Sequence, residues 1–203
     1  MSATGRGPRL GGNHDDYETP AWAVHRLLEA MPALPLGPWL EPCAGWGAII
    51  RAVRSLGRIV PAVPWRTCEV QAKFQQELHS LTGAEPIIKS FLATTAADFD
   101  RLPVHVITNP PFALAEEIIR HARALFPQAT VTMLLRLNFL ASKKRQAWLS
   151  TDTPDVYVLP DRPSFHNRKT DATEYGWMVW PPERRTKGTV QVLAATPKAE
   201  RLR

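Results

Sequence analysis

HVITNPPFALAEEII, residues 105–119, sets an apolar, β-branched run against an amphipathic segment with a stiff corner between them. His105 to Thr108 read as a short buried strand. Ala113 to Leu125 read as a helix, because apolar positions recur every three or four residues. The corner is Asn109-Pro110-Pro111-Phe112. Its two prolines fix two φ angles and remove two N–H donors, which leaves the carbonyls of Asn109 and Pro110 as acceptors on a rigid support. The Asn109 side chain adds another acceptor, and Phe112 offers a flat face. Two acceptors beside an aromatic plane suit a planar group that bears an exocyclic amine. A plain X-Pro turn has the same composition, so the surroundings have to decide.

Strand-like and helix-like segments alternate around this unit. TPAWAVHRLLEAM opens with Thr19 as the expected N-cap and Pro20 at the first helical position. GPWLEP, a helix from about Ala48 to Leu56, WRTCEV, a helix from about Gln71 to Leu81, and a strand in EPIIKSF precede the corner. TVTMLL, a short helix around SKKRQAWL, then DVYVLP, TEYGWMVW and TVQVLAA follow it. Alternation of this kind predicts an α/β fold whose mostly parallel sheet is covered on both faces. Ligands of such sheets bind outside the carboxyl ends of the strands. Those ends carry EPCAGWG, Glu69, Ser90-Phe91 and the Asn109 corner, all expected on one edge.

Each of these pieces has its own chemistry. In LEPCAGWGAII, Gly45 and Gly47 permit a tight turn and a close backbone approach to a ligand. The full dinucleotide fingerprint is absent, since Ile50 stands at its last position, and no Lys-Thr pair makes a phosphate loop. Glu41 argues against an anionic ligand group here and for a cationic one, such as an α-amino group. Glu69, at the end of the second strand, is placed to accept hydrogen bonds from two ribose hydroxyls, or simply to favour the start of a helix.

At 203 residues the chain accommodates one such domain with a full core. Residues 1–13 are Gly-rich and basic and read as a flexible arm, with 14–203 as the domain. Apolar residues make up 44%, which excludes a disordered chain. A net charge of +6 favours a polyanionic partner, nucleic acid above all. Cys43 and Cys68 belong to no CxxC or Cys/His cluster, so reduced thiols are expected and a metal site is not. MSATGRGPRLGGN has no apolar core and no apolar run reaches transmembrane length, so a cytoplasmic location is expected.

Asn-Pro-Pro-Phe in this position, with EPCAGWG upstream, resembles the class I S-adenosylmethionine-dependent amino-methyltransferases. DYETP before the first helix, LLRLNFLASKKR, and RPSFHNRKTDATEYGWMVW near the end are similar to small phage and bacterial DNA adenine-N6 methyltransferases. The resemblance implies a single Rossmann-like methyltransferase domain with a seven-stranded sheet. It implies S-adenosylmethionine as cofactor, with Tyr17, Thr19 and Pro20 on its methionine end. Glu41, Pro42, Ala44, Gly45 and Gly47 would line it, Glu69 would hold the ribose, and Val70 would lie against the adenine. Ser90 and Phe91 stand where relatives often have an Asp that touches the adenine amine, and this departure leaves an uncharged acceptor.

The resemblance further implies DNA as partner, with a flipped adenine as target. Asn109 and Pro110 would bind its amine, Pro111 would stiffen the corner, and Phe112 would stack on the base. Arg136, Asn138, Lys143, Lys144 and Arg145 after one strand, and Arg162, Phe165, Arg168 and Lys169 after the next, would contact nucleic acid if both strands run parallel to the one before Asn109. RNA amines, cytosine N4 in DNA, or an inactive nucleic-acid-binding module of the same fold are the alternatives.

Overall fold

The structure, a computed structural model, describes residues 18–57, 63–165 and 173–201. The expected arm at 1–13 and the candidates Tyr17, Arg168 and Lys169 lie outside them. The strands are β1 (Trp39–Glu41), β2 (Trp65–Thr67), β3 (His105–Thr108), β4 (Thr130–Arg136), β5 (Asp155–Val158), β6 (Tyr175–Trp180) and β7 (Val190–Val192). They form one seven-stranded sheet in the order β2-β1-β3-β4-β6-β5-β7. Only β6 runs against its neighbours, pairing antiparallel with β4 and β5. The carboxyl ends of β1 to β5 therefore share one edge with the first residue of β6.

Two apolar layers cover the sheet, which is why its central strands are buried along their whole length rather than alternating. Trp39, Ile107, Leu134 and Trp177 face the helices α1 (Ala21–Ala30) and α2 (Ala48–Ser55). Leu40, Val106, Met133 and Met178 face α4 (Ala115–Leu125) and α5 (Lys143–Leu149). The shorter α3 (Gln75–Thr82) closes over β2, and α6 (Lys198–Arg201) ends the described chain. The Trp177 indole N–H donates to the Ala23 carbonyl at 2.8 Å and ties α1 to the sheet. On the other face Arg123 holds Asp152 through two bonds of 2.8 Å, and both side chains are buried. A pair this enclosed needs its other donors satisfied, and Arg123 gives one to the Pro181 carbonyl at 2.6 Å. Among the described residues no helix is long and apolar enough to cross a membrane.

Three local expectations change. EPIIKSF makes no strand; Ile87 alone bridges Cys68, and the other strand-like segments form the seven strands, TVQVLAA giving β7 at the far edge. Pro86 has no N–H for a ladder, and after Ile87 the chain turns at Ser90 into a short 3-10 helix, Phe91–Ala93. The first helix starts at Ala21, one residue late, with Pro20 at the N-cap and no cap from Thr19. The helix after the corner starts at Ala115 rather than Ala113, because Leu114 N–H is taken by the Pro111 carbonyl at 2.9 Å.

Candidate active site

The chain passes from β1 outward to β2 and then returns to β3 on the other side of β1. That reversal opens a crevice at the carboxyl edge, and a cavity of about 420 Å³ fills it. Glu41 and the 42–45 loop form one wall, Glu69, Val70 and Gln71 the second, Ser90 to Leu92 the third, and Asn109 to Leu114 the fourth. Five chain segments, far apart in sequence, meet there, the fifth being Glu18 and Thr19 ahead of α1.

The loop after β1 is held by its neighbours on β2. Ala44 N–H donates to the Cys68 carbonyl at 3.1 Å, and Cys68 N–H to the Glu41 carbonyl at 3.0 Å. Gly45 and Gly47 have φ of 48° and 72°, the left-handed region that glycine enters without strain. They do different work. A Cβ on Gly45 would meet open space, whereas one on Gly47 would come within 2.5 Å of Leu81 on α3. Gly45 borders the cavity; Gly47 does not, and packs against α3 while starting α2.

Two carboxylates flank this loop in contrasting states. Glu69 is 7% exposed, and its oxygens accept Gly45 N–H at 2.8 Å and Gln71 N–H at 2.9 Å. Each oxygen keeps a lone pair for a further donor. Glu41 is 3% exposed, and its Oε2 has no hydrogen-bond partner. Burial pushes the Glu41 carboxyl well above the usual carboxylate range; Arg51 draws it back, and the Glu69 charge adds to the rise. An unpartnered buried carboxylate oxygen on a cavity wall calls for a donor from the ligand. Glu18 makes a third carboxylate on the wall, and no described lysine, arginine or histidine borders the cavity. The lining charge favours a cationic ligand. Cys43 also borders it, and burial raises that thiol above its ordinary range, which leaves it an uncharged wall atom.

Beyond the Asn109 corner the chemistry changes. The Arg136 guanidinium, at the end of β4, lies over the Phe112 ring with Cζ 4.6 Å from its centroid. Arg136 Nε donates to the Tyr175 hydroxyl at 3.1 Å. Tyr175 in turn touches Phe112 (centroids 5.8 Å apart) and Phe165 (5.2 Å).

The same arrangement of sheet and helices occurs in solved structures. The chain superposes on the type I restriction-modification system methyltransferase subunit from Streptococcus thermophilus with a TM-score of 0.62 and 14% identity, over 91% of this chain and 51% of that one. A protein described as a class I S-adenosylmethionine-dependent methyltransferase from Listeria monocytogenes gives 0.61 and 11%, over 91% and 68%. The 23S rRNA methyltransferase ErmE gives 0.56 and 17%, over 84% and 70%. The fold is that of the class I methyltransferases. This chain spans about half the length of the restriction-modification subunits it matches. No family model and no curated protein matches the sequence.

On this methyltransferase fold the expected cofactor residues Thr19, Glu41, Pro42, Ala44, Gly45, Glu69, Val70, Ser90 and Phe91 all border the cavity, together with Asn109, Pro110, Pro111 and Phe112. Pro20 does not; it turns into the start of α1, and its carbonyl accepts Ala23 N–H at 3.0 Å. Of the residues expected to contact nucleic acid, Asn138, Lys143 and Lys144 are exposed. Arg145 instead stacks over Phe139 at 4.2 Å and donates to its carbonyl. Arg162 pairs with Glu174. Arg162 and Glu174 are both exposed, so their pair lies at the surface, whereas Arg145 is more enclosed. β5 does run parallel to β4, so both basic segments start from the cavity edge.

Trp46 and Tyr175 escaped the sequence reading. Trp46 lines the cavity, edge-on to Phe74 at 4.7 Å, and the signal for it was the glycine on either side. Tyr175 is fully buried inside an apolar strand and gave no signal.

Proposed function

We propose that this chain transfers a methyl group from S-adenosylmethionine to the exocyclic N6 amine of an adenine in DNA. The observation that carries this reading is the meeting of Asn109-Pro110-Pro111-Phe112 with Glu41 and Glu69 on one cavity. The cavity suits the cofactor on three counts. The unpartnered Glu41 oxygen suits its α-ammonium group, the open side of Gly45 leaves room for it, and Glu69 retains lone pairs for ribose hydroxyls. Val70 and Phe91 offer apolar contact to its adenine, with the Ser90 hydroxyl as an uncharged acceptor. When bound, S-adenosylmethionine supplies an electrophilic methyl on a sulfonium.

Asn109 Oδ1 and the Pro110 carbonyl accept the two hydrogens of the target amine. Holding both hydrogens turns the nitrogen lone pair out of the ring system and aims it into the cavity. The same two oxygens stabilise the positive charge that grows on that nitrogen. Pro110 and Pro111 keep these acceptors fixed, so no reorganisation is needed at the moment of transfer. Phe112 offers a stacking surface that offsets part of the cost of extruding the base.

The test is methyl transfer from labelled S-adenosylmethionine to unmethylated duplex DNA and, separately, to total RNA, with products digested to nucleosides and weighed. N6-methyladenine in DNA is the expected product, and Asn109→Ala should lower its rate by about 100-fold or more. The variant's affinity for the cofactor should stay within a few-fold of wild type. Label in RNA alone would retain the chemistry and move the substrate. Normal turnover by the variant would sink the mechanism.

A further inference from the structure

Phe112 is where the target base would stack, yet an arginine already lies over it. The cavity occupies the ends of β1, β2 and β3, with Asn109 and Phe112 at its border. A methyl acceptor has to reach Asn109 from the flank that the cofactor does not fill, which is the side of β4 and β6. Arg136 ends β4 on that flank and Tyr175 begins β6 directly opposite it in register. Phe112 packs against apolar residues of both core layers and borders the cavity, and Arg136 covers a face of its ring. A base at stacking distance and a guanidinium 4.6 Å above the same ring cannot occupy that space together.

We infer that Arg136 is a placeholder for the target base: its guanidinium stacks on Phe112 until an adenine displaces it, and the freed cation then contacts the DNA backbone. This rests on the methyltransferase reading above. A guanidinium is planar and binds aromatic faces, so it keeps Phe112 oriented and dry in the meantime. The Tyr175 hydroxyl, 3.1 Å from Arg136 Nε, is a latch that helps to hold it there. Displacement exchanges one stacked planar group for another, and the released charge finds a phosphate oxygen, its best bidentate partner. Arg136 is thus a positioning residue that couples base entry to backbone contact.

The experiment separates the base from the backbone. Wild type, Arg136→Ala and Tyr175→Phe are saturated with S-adenosylhomocysteine and titrated with 2-aminopurine riboside, whose fluorescence reports stacking, and in parallel with mixed-sequence duplex DNA. Arg136→Ala should bind the nucleoside about two- to fivefold more tightly, because the platform is bare. It should bind duplex DNA more weakly, with its salt dependence reduced by about one unit. Tyr175→Phe, which opens the latch but keeps the cation, should tighten the nucleoside by less and leave the salt dependence unchanged. Opposite signs on the two ligands are what a packing role cannot produce. Weaker or unchanged nucleoside binding by both variants would overturn the placeholder. No binding of S-adenosylhomocysteine to the wild type would overturn the methyltransferase reading beneath it.

Discussion

On the β1–β2 flank of the crevice three glutamates and a glycine turn border a cavity that no described cationic side chain reaches. On the β4–β6 flank an arginine, a tyrosine and two phenylalanines pack against one another. The two flanks share a single border at Asn109, and their chemistry is opposite. An acidic, enclosed wall selects a small cation and rejects phosphates. On the proposed reading, an aromatic wall topped by a guanidinium suits a neutral planar base on a polyanionic chain. The contrast teaches that the strand order separates two kinds of wall, because the chain's reversal between β1 and β3 keeps them apart.

The largest break in this contrast should come from Glu41→Gln. On the proposed reading the variant loses the charge-assisted bond to the cofactor's ammonium, and affinity should fall roughly 10- to 100-fold by calorimetry. The ligand-free protein should respond in the other direction. Burial holds the folded Glu41 pKa above its ordinary value of 4.5, so the folded state keeps a proton that the unfolded chain releases. Stability is therefore lost as pH rises from the unfolded value through the folded one. Glutamine carries no such loss, so the variant should exceed wild type in stability at neutral pH and converge with it below pH 4.5. Wild-type cofactor affinity in the variant would remove Glu41 from the binding site.

Much of the acidic flank was legible because its signals are local. A glutamate ending a strand, a glycine turn and an Asn-Pro-Pro corner each need only neighbours in sequence, and the alternating pattern brought them to one edge. What failed was tertiary. Gly47 looks like a ligand-approach glycine until Leu81 of α3 is found against it. No pattern around Arg145 or Arg162 announces that the first stacks on Phe139 and the second pairs with Glu174. Ile87 looks like part of a strand, but pairing stops after one bridge because Pro86 and the turn at Ser90 bound it. Tyr175 reads as core, and its hydroxyl bond to Arg136 depends on an antiparallel register that no pattern in β6 announces.

The glycine turn offers a smaller and sharper test. Alanine at either position pays the left-handed backbone penalty, about 1–2 kcal/mol. Only Gly47→Ala also drives a methyl to within 2.5 Å of the Leu81 side chain, which has to shift. Gly47→Ala should therefore lower unfolding stability by about 2–3 kcal/mol in urea titrations, more than Gly45→Ala does. Gly45→Ala should instead show the greater loss of cofactor affinity, since its methyl points into open space beside the cavity. Equal effects on stability and affinity would mean that the two glycines share one role.

The smallest effects belong to the outer rim of the basic flank. Lys143 and Lys144 are exposed at the start of α5, just past the end of β4, whereas Arg145 in the next turn position is spent on Phe139. Truncating either lysine to alanine should leave folding within about 0.5 kcal/mol of wild type. Each should reduce the salt dependence of duplex binding by about one unit and weaken binding uniformly across sequences, as loss of a backbone contact does. Arg145→Ala should do the reverse, lowering stability through its lost ring contact while leaving the salt slope in place. The three adjacent variants thus read the direction in which α5 faces. If the slope moves for none of the three, DNA does not cross the amino end of α5, and the polyanion must reach the Phe112 platform from the β5 side.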